Sequence, residues 1–193
     1  MKAISTLIQL KKSIYSYYLM SEYIKNPLID IVAYPNISLS TAGVTIVDFN
    51  NLEFIKTVEN LIAKMAEYDH CVGLAANQIG SDLNVFVADS SKNKREESKY
   101  GFEVVTNPRN VKSNGLIKRR EGCMSVPDLT VDITRYENIV VSGQNVTGQE
   151  IQFHLDGFES RVFQHEIDHL NGKVILDCAK SSRDIYSRKI YRK

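Results

Sequence analysis

The sequence predicts an α+β fold in which antiparallel sheets pack around a central helix, together with a long N-terminal amphipathic helix. Helical periodicity appears at about 50–68 and 157–170, β-branched runs lie between these segments, and no regular β-α-β alternation is present. A chain of 193 residues with 43% hydrophobic content has enough apolar side chains for one sizeable core. We therefore expect one main domain, over residues 26–178.

Both ends of the chain are expected to lie outside this domain. Residues 1–25 contain four lysines, several Ser and Tyr, and a single acid, Glu22, but no arginine. They form an N-terminal extension with three open interpretations: disorder, a weak match to an organelle transit peptide, or a segment upstream of a second translation start at Met20. Residues 179–193 form a basic C-terminal tail, for which we expect a terminal helix or a frayed end.

The first helix is predicted from apolar residues that recur at three- and four-residue intervals between about 50 and 68. Asn50 and Glu53 have the types and spacing of an N-cap and its partner. After this helix, residues 73–80 are bounded by glycines and indicate a loop, a strand edge and a turn. The β-branched run at 85–88 predicts a strand.

Further strands are predicted at 104–106, 139–141 and 151–155, and the polar segment 90–100 is expected to be a solvated loop without a chemical role. Asn107-Pro108 is expected to form a turn after the first of these strands. The second helix is predicted to begin after Asp156, with Glu159 as its capping partner, and to end at Asn171-Gly172.

Composition narrows the classes of partner. A net charge of +1 gives no whole-chain reason to expect DNA or a membrane surface as a partner. No apolar run approaches the roughly 18 residues that a membrane span requires. Cys71, Cys123 and Cys178 are an odd number at wide spacing, which argues against a disulfide framework and favours a reducing compartment.

The most informative motif is the pentapeptide at 165–169, HEIDH, with Cys123 about forty positions before it. Residues four apart on a helix project from one face, so His165 and His169 can share a metal ion, and Cys123 adds a thiolate. Glu166 can then hold a water, whose pKa a metal lowers from about 15.7 to about 7. The motif predicts a metal-dependent hydrolase. The alternative is a chance match among ordinary surface and core residues.

Three segments, GLAANQ at 73–78, EGCMS at 121–125 and QHEIDH at 164–169, resemble the signature motifs of the peptide deformylases in order and spacing. These enzymes remove the formyl group from the starting methionine of bacterial and organellar nascent chains. The resemblance covers roughly residues 29–177 and so most of the expected domain. It implies that residues 26–178 are a deformylase-like catalytic domain.

The resemblance implies a metal site with one open position. Cys123, His165 and His169 would bind one divalent ion, typically Fe²⁺, with Zn²⁺, Ni²⁺ or Co²⁺ able to occupy the same ligands. The ligand types alone would have suggested zinc. Glu166 would act as the general base and acid.

The resemblance also implies how the substrate is held. The Gln78 side chain and the Met124 backbone N–H would donate hydrogen bonds to the negative charge that develops on the formyl oxygen. Without the resemblance, ordinary core packing would explain the apolar members of the implied pocket. The implied substrate-binding residues are Val72, Gly73, Glu121, Gly122, Phe158 and Val162.

The implied partners are N-formylmethionyl nascent peptides and, through the basic tail, ribosomal RNA. The alternative for the tail is a solvated face. The implied location is the bacterial cytoplasm, or an organelle if the N-terminal extension is a transit peptide. Two other functions stay open: a zincin-like protease, which Cys123 disfavours, and a deformylase-like paralog with reduced or lost activity that acts as a ribosome-associated binding protein, which Glu166 disfavours.

Overall fold

The structure is a computed structural model that describes residues 29–188, so the predictions for residues 1–25 and for 189–193 lie outside the described residues. The described chain has two α-helices and six strands. The helices are α1 (Leu52–Ala66) and α2 (Gly157–Leu170). The strands are β1 (Gly73–Ala75), β2 (Val85–Asp89), β3 (Phe102–Cys123), β4 (Val126–Gln144), β5 (Glu150–Asp156) and β6 (Ile185–Ser187). Short 3₁₀ helices occupy Ile37–Ser40, Ala76–Ile79, Ser90–Lys92 and Ser182–Asp184.

All strand pairs are antiparallel, in the order β1-β2-β3-β4-β5 with β6 added beside β4. This confirms the predicted α+β class with antiparallel sheet. The long β3–β4 pair was only partly predicted, because its outer half is largely exposed and lacks the apolar alternation that marks a half-buried strand. Asn107-Pro108 is not a turn. It lies at a register shift inside β3, where Asn107 adopts a positive φ of 49° and accepts a hydrogen bond from Ile46 N.

Helix α1 lies where apolar periodicity predicted a helix, at about 50–68. A long amphipathic helix at the N-terminus of the chain is not shown. The N-cap of α1 is Asn51 rather than Asn50, because the Asn51 side chain accepts the hydrogen bond from Glu53 N at 2.8 Å. The apolar face of α1 packs against β1 and β2 in one core cluster. No helix of the described residues is long and apolar enough to cross a membrane.

Helix α2 packs on the face of the sheet, where Phe163 meets the rings of Phe86 and Phe153 edge-on at 5.2 and 5.1 Å. Its end at Asn171-Gly172 is confirmed, since Asn171 is the C-cap and Gly172 has a φ of +72°. Because α2 contacts β1, β2, β4 and β5, its side chains reach several strands at once.

Helix α2 begins after Asp156 as predicted, but the predicted capping pair of Asp156 and Glu159 does not form. Asp156 is the N-cap residue, but its side chain makes no capping hydrogen bond and instead pairs with Lys99. The buried Glu159 carboxylate accepts hydrogen bonds from Ser90 Oγ at 2.7 Å, Ser98 Oγ at 2.8 Å and Lys99 N at 2.9 Å. The segment 90–100 is therefore fixed to α2 by a buried carboxylate rather than being simply a solvated loop.

The basic tail also differs from the prediction as far as residue 188. It forms a 3₁₀ turn and then β6, which pairs with β4 through Leu129↔Ser187 and Val131↔Ile185. Ile185 packs against the third core cluster, which contains Val131. The run that forms β6 is only three residues long, so the available partner strand rather than local propensity determines its structure.

Leu61 on α1 tests the packing of α1 against the sheet. Its side chain is 0% exposed, so Leu61→Ala should lower the free energy of unfolding by about 2 to 5 kcal/mol through lost apolar burial and a residual cavity. The measurement is urea unfolding followed by circular dichroism. The matched control is Leu52→Ala on the same helix, where the side chain is 72% exposed and the expected change is within about 0.5 kcal/mol. Equal losses for the two variants would contradict the described packing.

Candidate metal centre and active site

Three potential metal ligands converge where β3 ends against α2. Cys123 is the last residue of β3, and His165 and His169 lie one helical turn apart on α2. One ligand atom from each residue lies within 4.8 Å of the others, and Cys123 Sγ is 3.1 Å from His169 Nε2. Among residues 29–188 this is the one such group of His, Cys, Asp or Glu side chains. The structure thus brings the Cys123 sulfur and the two imidazoles together, while their role as metal ligands stays a prediction.

The environment of the two histidines suits a cation. Burial alone would lower the pKa of His165, but its interactions with the Cys123 sulfur and the Glu121 carboxylate raise that pKa well above its ordinary value. Burial lowers the pKa of His169 well below its ordinary value, so its imidazole is neutral and has a free lone pair. The site thus combines stabilisation of positive charge with nitrogen and sulfur donors.

Glu166 lies beside the three ligands and is 3% exposed. Burial raises the pKa of this carboxyl to about 7. Its Oε2 has no hydrogen-bond partner among the described residues, which is unusual for a buried carboxyl oxygen. Gly73 on β1 makes the approach possible, because a Cβ on Gly73 would lie 2.8 Å from Glu166 Cδ. The free oxygen is therefore available to a water or a substrate group.

The orientation of His165 is fixed by Glu121. Because a carboxylate can only accept, the 3.1 Å contact between His165 Nδ1 and Glu121 Oε2 places a proton on Nδ1, so Nε2 is the nitrogen that would bind a metal in place of its own proton. Arg135 on β4 donates to both oxygens of Glu121 at 3.0 Å and also to Asp168 on α2. Burial alone would raise the pKa of Glu121, but the hydrogen bonds from His165 and Arg135 lower it to about 2.

The sequence did not reveal this network. No role for Asp168 or Arg135 follows from the sequence motifs. Cys178 adjoins the network: its Sγ donates to Asp168 Oδ2 at 3.3 Å, and burial raises the pKa of the thiol to about 12. The signal that could have identified the network is the pair of acids, Glu121 and Asp168, next to ligand positions. Buried carboxylates require a cationic partner.

Gln78 lies against the sulfur of the site. Its Nε2 donates to Cys123 Sγ at 3.6 Å and to Ser125 Oγ at 3.1 Å, and its Oε1 accepts from Ala75 N at 2.9 Å. Gln78 is fully buried and lies in the 3₁₀ helix Ala76–Ile79 that follows β1. The accepting bond from Ala75 fixes the amide orientation, so that its NH₂ group points towards Cys123 and Ser125.

A cavity of about 350 Å³ opens beside Cys123, His165 and Glu166. The cavity is lined by the two predicted hydrogen-bond donors, Gln78 and Met124, and by the predicted substrate-binding residues. The buried His169 does not line it. The predicted residues in its wall are Val72, Gly73, Gln78, Glu121, Gly122, Met124, Phe158 and Val162. The wall also contains five residues that the sequence did not suggest: His70, Cys71, Arg120, Arg161 and Arg188.

One side of the ligand group faces this cavity, and an accessible side is what distinguishes a catalytic metal site from a closed structural one. The carboxyl of Glu166 borders the same space. The fold and the site therefore define the class of metallohydrolases, with one candidate metal centre among residues 29–188.

Comparison with known proteins agrees with this class. A family model described as "Polypeptide deformylase" matches residues 28–184. The peptide deformylase of Aquifex aeolicus is 39% identical over 169 residues, which are 85% of this chain and 95% of that protein. The peptide deformylase of Desulfosudis oleivorans is 36% identical over 171 residues, 86% of this chain and 94% of that protein.

Solved structures are similar as well. The crystal structure of the Thermotoga maritima peptide deformylase has a TM-score of 0.70 at 33% identity, covering 79% of this chain and 98% of that chain. The Synechococcus elongatus peptide deformylase in complex with actinonin has a TM-score of 0.73 at 26% identity, covering 83% of this chain and 85% of that chain. This chain belongs to the polypeptide deformylase family. Its activity is the deformylation of nascent peptides, and the alternative of a binding protein without catalysis is not favoured.

Arg135 tests the network behind His165. Arg135→Met should lower the free energy of unfolding by about 3 to 5 kcal/mol, because it leaves Glu121 and Asp168 without their buried cation. Metal affinity should fall about 10- to 100-fold as His165 loses its fixed orientation. Urea unfolding and metal titration give the two values. The control is Arg119→Met, an exposed position on β3 whose guanidinium contacts only a neighbouring carbonyl. A variant of Arg135 with unchanged metal affinity would show that the network does not position His165.

Proposed function

We propose that the cavity beside α2 is where formyl-methionyl peptides are deformylated, with Cys123, His165 and His169 as the ligands of one divalent metal ion. The observation that carries this proposal is the convergence of these three ligands from two elements at the wall of a cavity. We infer Fe²⁺ as the native ion. The thiolate and imidazole donors also suit Zn²⁺, Ni²⁺ or Co²⁺.

The chain supplies the other groups that hydrolysis of an amide requires. When bound, the metal supplies Lewis acidity that makes a water molecule nucleophilic near neutral pH. Glu166 accepts a proton from the attacking water at its free Oε2 and then passes a proton to the leaving amine nitrogen. The carbon–nitrogen bond of the formamide breaks, and formate and a free N-terminus are released.

Charge on the formyl oxygen needs donors that are already in place. The Gln78 Nε2 group is held beside Cys123 by the hydrogen bond between its own Oε1 and Ala75 N. We propose this amide as the first donor and the backbone N–H of Met124 as the second. Each donor that is preorganised in a buried site lowers the activation barrier by about 3 to 4 kcal/mol.

The apolar wall of the cavity supports methionine as the first residue of the substrate. Val72, Phe158, Val162 and Met124 border it together with the small Gly73. A thioether side chain is flexible and polarisable and packs well among such groups. Glu121 and Gly122 border the same cavity at the end of β3, and we propose that they contact the peptide backbone.

We propose further that residues 26–178 are the catalytic domain and that the tail, 179–193, contacts ribosomal RNA. Its positive residues support this proposal, because cations dominate binding to phosphate backbones. The protein should co-sediment with ribosomes at low salt. Lys180→Glu should weaken this co-sedimentation and leave the deformylation rate unchanged. Co-sedimentation that is equal for the unaltered protein and the Lys180 variant, and that does not change with salt, would contradict the proposal.

The proposed location is the cytoplasm of a bacterium, or an organelle if residues 1–25 act as a transit peptide. The free thiols of Cys71, Cys123 and Cys178 support a reducing compartment. Fractionation of cells that produce the full chain tests the location. Recovery in an oxidising compartment would contradict it.

Glu166 tests the proposed chemistry directly. Glu166→Gln should lower kcat for formate release from formyl-Met-Ala-Ser by about 10²- to 10⁴-fold, because the amide cannot carry the proton. Metal content should be unchanged, since Glu166 is not among the three ligands. The matched control is Glu137→Gln, an exposed acid of β4. Full activity of the Glu166 variant with metal bound would exclude the proposed role of Glu166. Cleavage of an internal, unformylated peptide bond by the unaltered protein would favour the protease alternative.

A further inference from the structure

Strand β6 brings Arg188 to the active-site cavity. After the last paired residue, Ser187, the backbone N–H of Arg188 donates to Asp128 O at 2.7 Å, so the tail continues beside β4 for one more residue. The Arg188 guanidinium lies in the cavity wall, and its Nη2 donates to Cys123 O at 3.4 Å. A cationic side chain from the tail therefore contacts the backbone of a proposed metal ligand.

Gly122 provides the space for this guanidinium. A Cβ built on Gly122 would clash with Arg188 Nη2 and would lie 3.1 Å from Arg188 Cζ. Any larger residue at this position would have to displace the guanidinium from the end of β3. The two residues thus form one surface of the cavity, with the arginine lying across the glycine.

Arg188 differs from the other two arginines of the cavity wall in its charge partners. Arg120 Nε is 2.7 Å from Asp132 Oδ1, and Arg161 Nη2 is 3.6 Å from Glu96 Oε1. No carboxylate of residues 29–188 lies within 4.0 Å of the Arg188 guanidinium, whose recorded partner is the carbonyl of Cys123. The positive charge of Arg188 is consequently not neutralised by an ion pair in the described part of the chain.

The two carboxylates that line the cavity do not form an ion pair with Arg188 either. Glu121 is paired with Arg135, and Glu166 is held against Gly73 on the β1 side. A substrate that enters the cavity therefore meets, at Gly122, a guanidinium that has no ion-pair partner among residues 29–188. An arginine in such a place favours a carboxylate, which it can bind through two parallel hydrogen bonds.

We propose that Arg188 is a specificity-determining residue that binds an acidic side chain carried by one of the residues after methionine in the substrate. The proposal rests on the proposed function of the same cavity. Strand β6 positions the guanidinium, and Tyr186, two residues earlier, is held by Arg120, whose guanidinium carbon lies 3.4 Å from the Tyr186 ring centre. The tail is thereby part of the substrate site as well as of the sheet.

The test uses the full chain loaded with metal and three peptides with amidated C-termini: formyl-Met-Ala-Asp, formyl-Met-Ala-Ser and formyl-Met-Ala-Lys. The unaltered protein should process the aspartate peptide with a kcat/KM roughly three- to tenfold above that of the lysine peptide, mainly through KM. In Arg188→Gln this ratio should fall to about one, and Arg188→Lys should retain part of it. The control Arg183→Gln, at an exposed position of the same tail, should keep the full ratio.

A ratio in Arg188→Gln equal to that of the unaltered protein would overturn the proposal. So would an equal loss for all three peptides, which would indicate that Arg188 binds the peptide backbone and not an acidic side chain. If Arg188→Gln does not fold, the salt dependence of the unaltered protein decides: the ratio should shrink as NaCl rises, and a constant ratio would overturn the proposal. Failure to process even the serine peptide would count against the proposed function instead.

Discussion

The buried guanidinium of Arg135 joins the three elements from which the active site is built. It extends from β4, binds Glu121 on β3 through two hydrogen bonds, and pairs with Asp168 on α2. Glu121 in turn orients His165, one of the proposed ligands. Isolated charges in a protein interior are costly, so each member of this group depends on the others. Arg135 thus links the end of β3, which carries Cys123, to α2, which carries both histidines.

Close approach of backbone to side chain is the second constraint. Gly73 lets Glu166 lie against β1, and Gly122 lets Arg188 lie across the end of β3. In each case the missing Cβ allows a charged group to reach the cavity beside the ligands. The sheet therefore does not only support α2. Its strand ends also determine the shape and charge of the cavity proposed to bind the substrate.

The sequence was sufficient for the parts of the site that are local. A helical spacing of four places His165 and His169 on one face, and apolar periodicity identified both α-helices to within a few residues. Arg135 and Arg188 could not be identified in this way. Arg135 meets Glu121 only through the packing of β3, β4 and α2, and Arg188 reaches the cavity only because β6 pairs with β4. Such pairings depend on tertiary contacts that no local pattern encodes.

The central claim is that one sulfur and two imidazole nitrogens bind a single metal ion. X-ray absorption spectroscopy of the zinc-loaded protein measures the identity and distance of these ligand atoms directly. The predicted spectrum contains one sulfur at about 2.3 Å and two imidazole nitrogens at about 2.0 to 2.1 Å, with a further light atom completing four-coordination. The sulfur contribution should disappear in Cys123→Ser. A shell without sulfur in the unaltered protein, at full metal occupancy, would contradict the account.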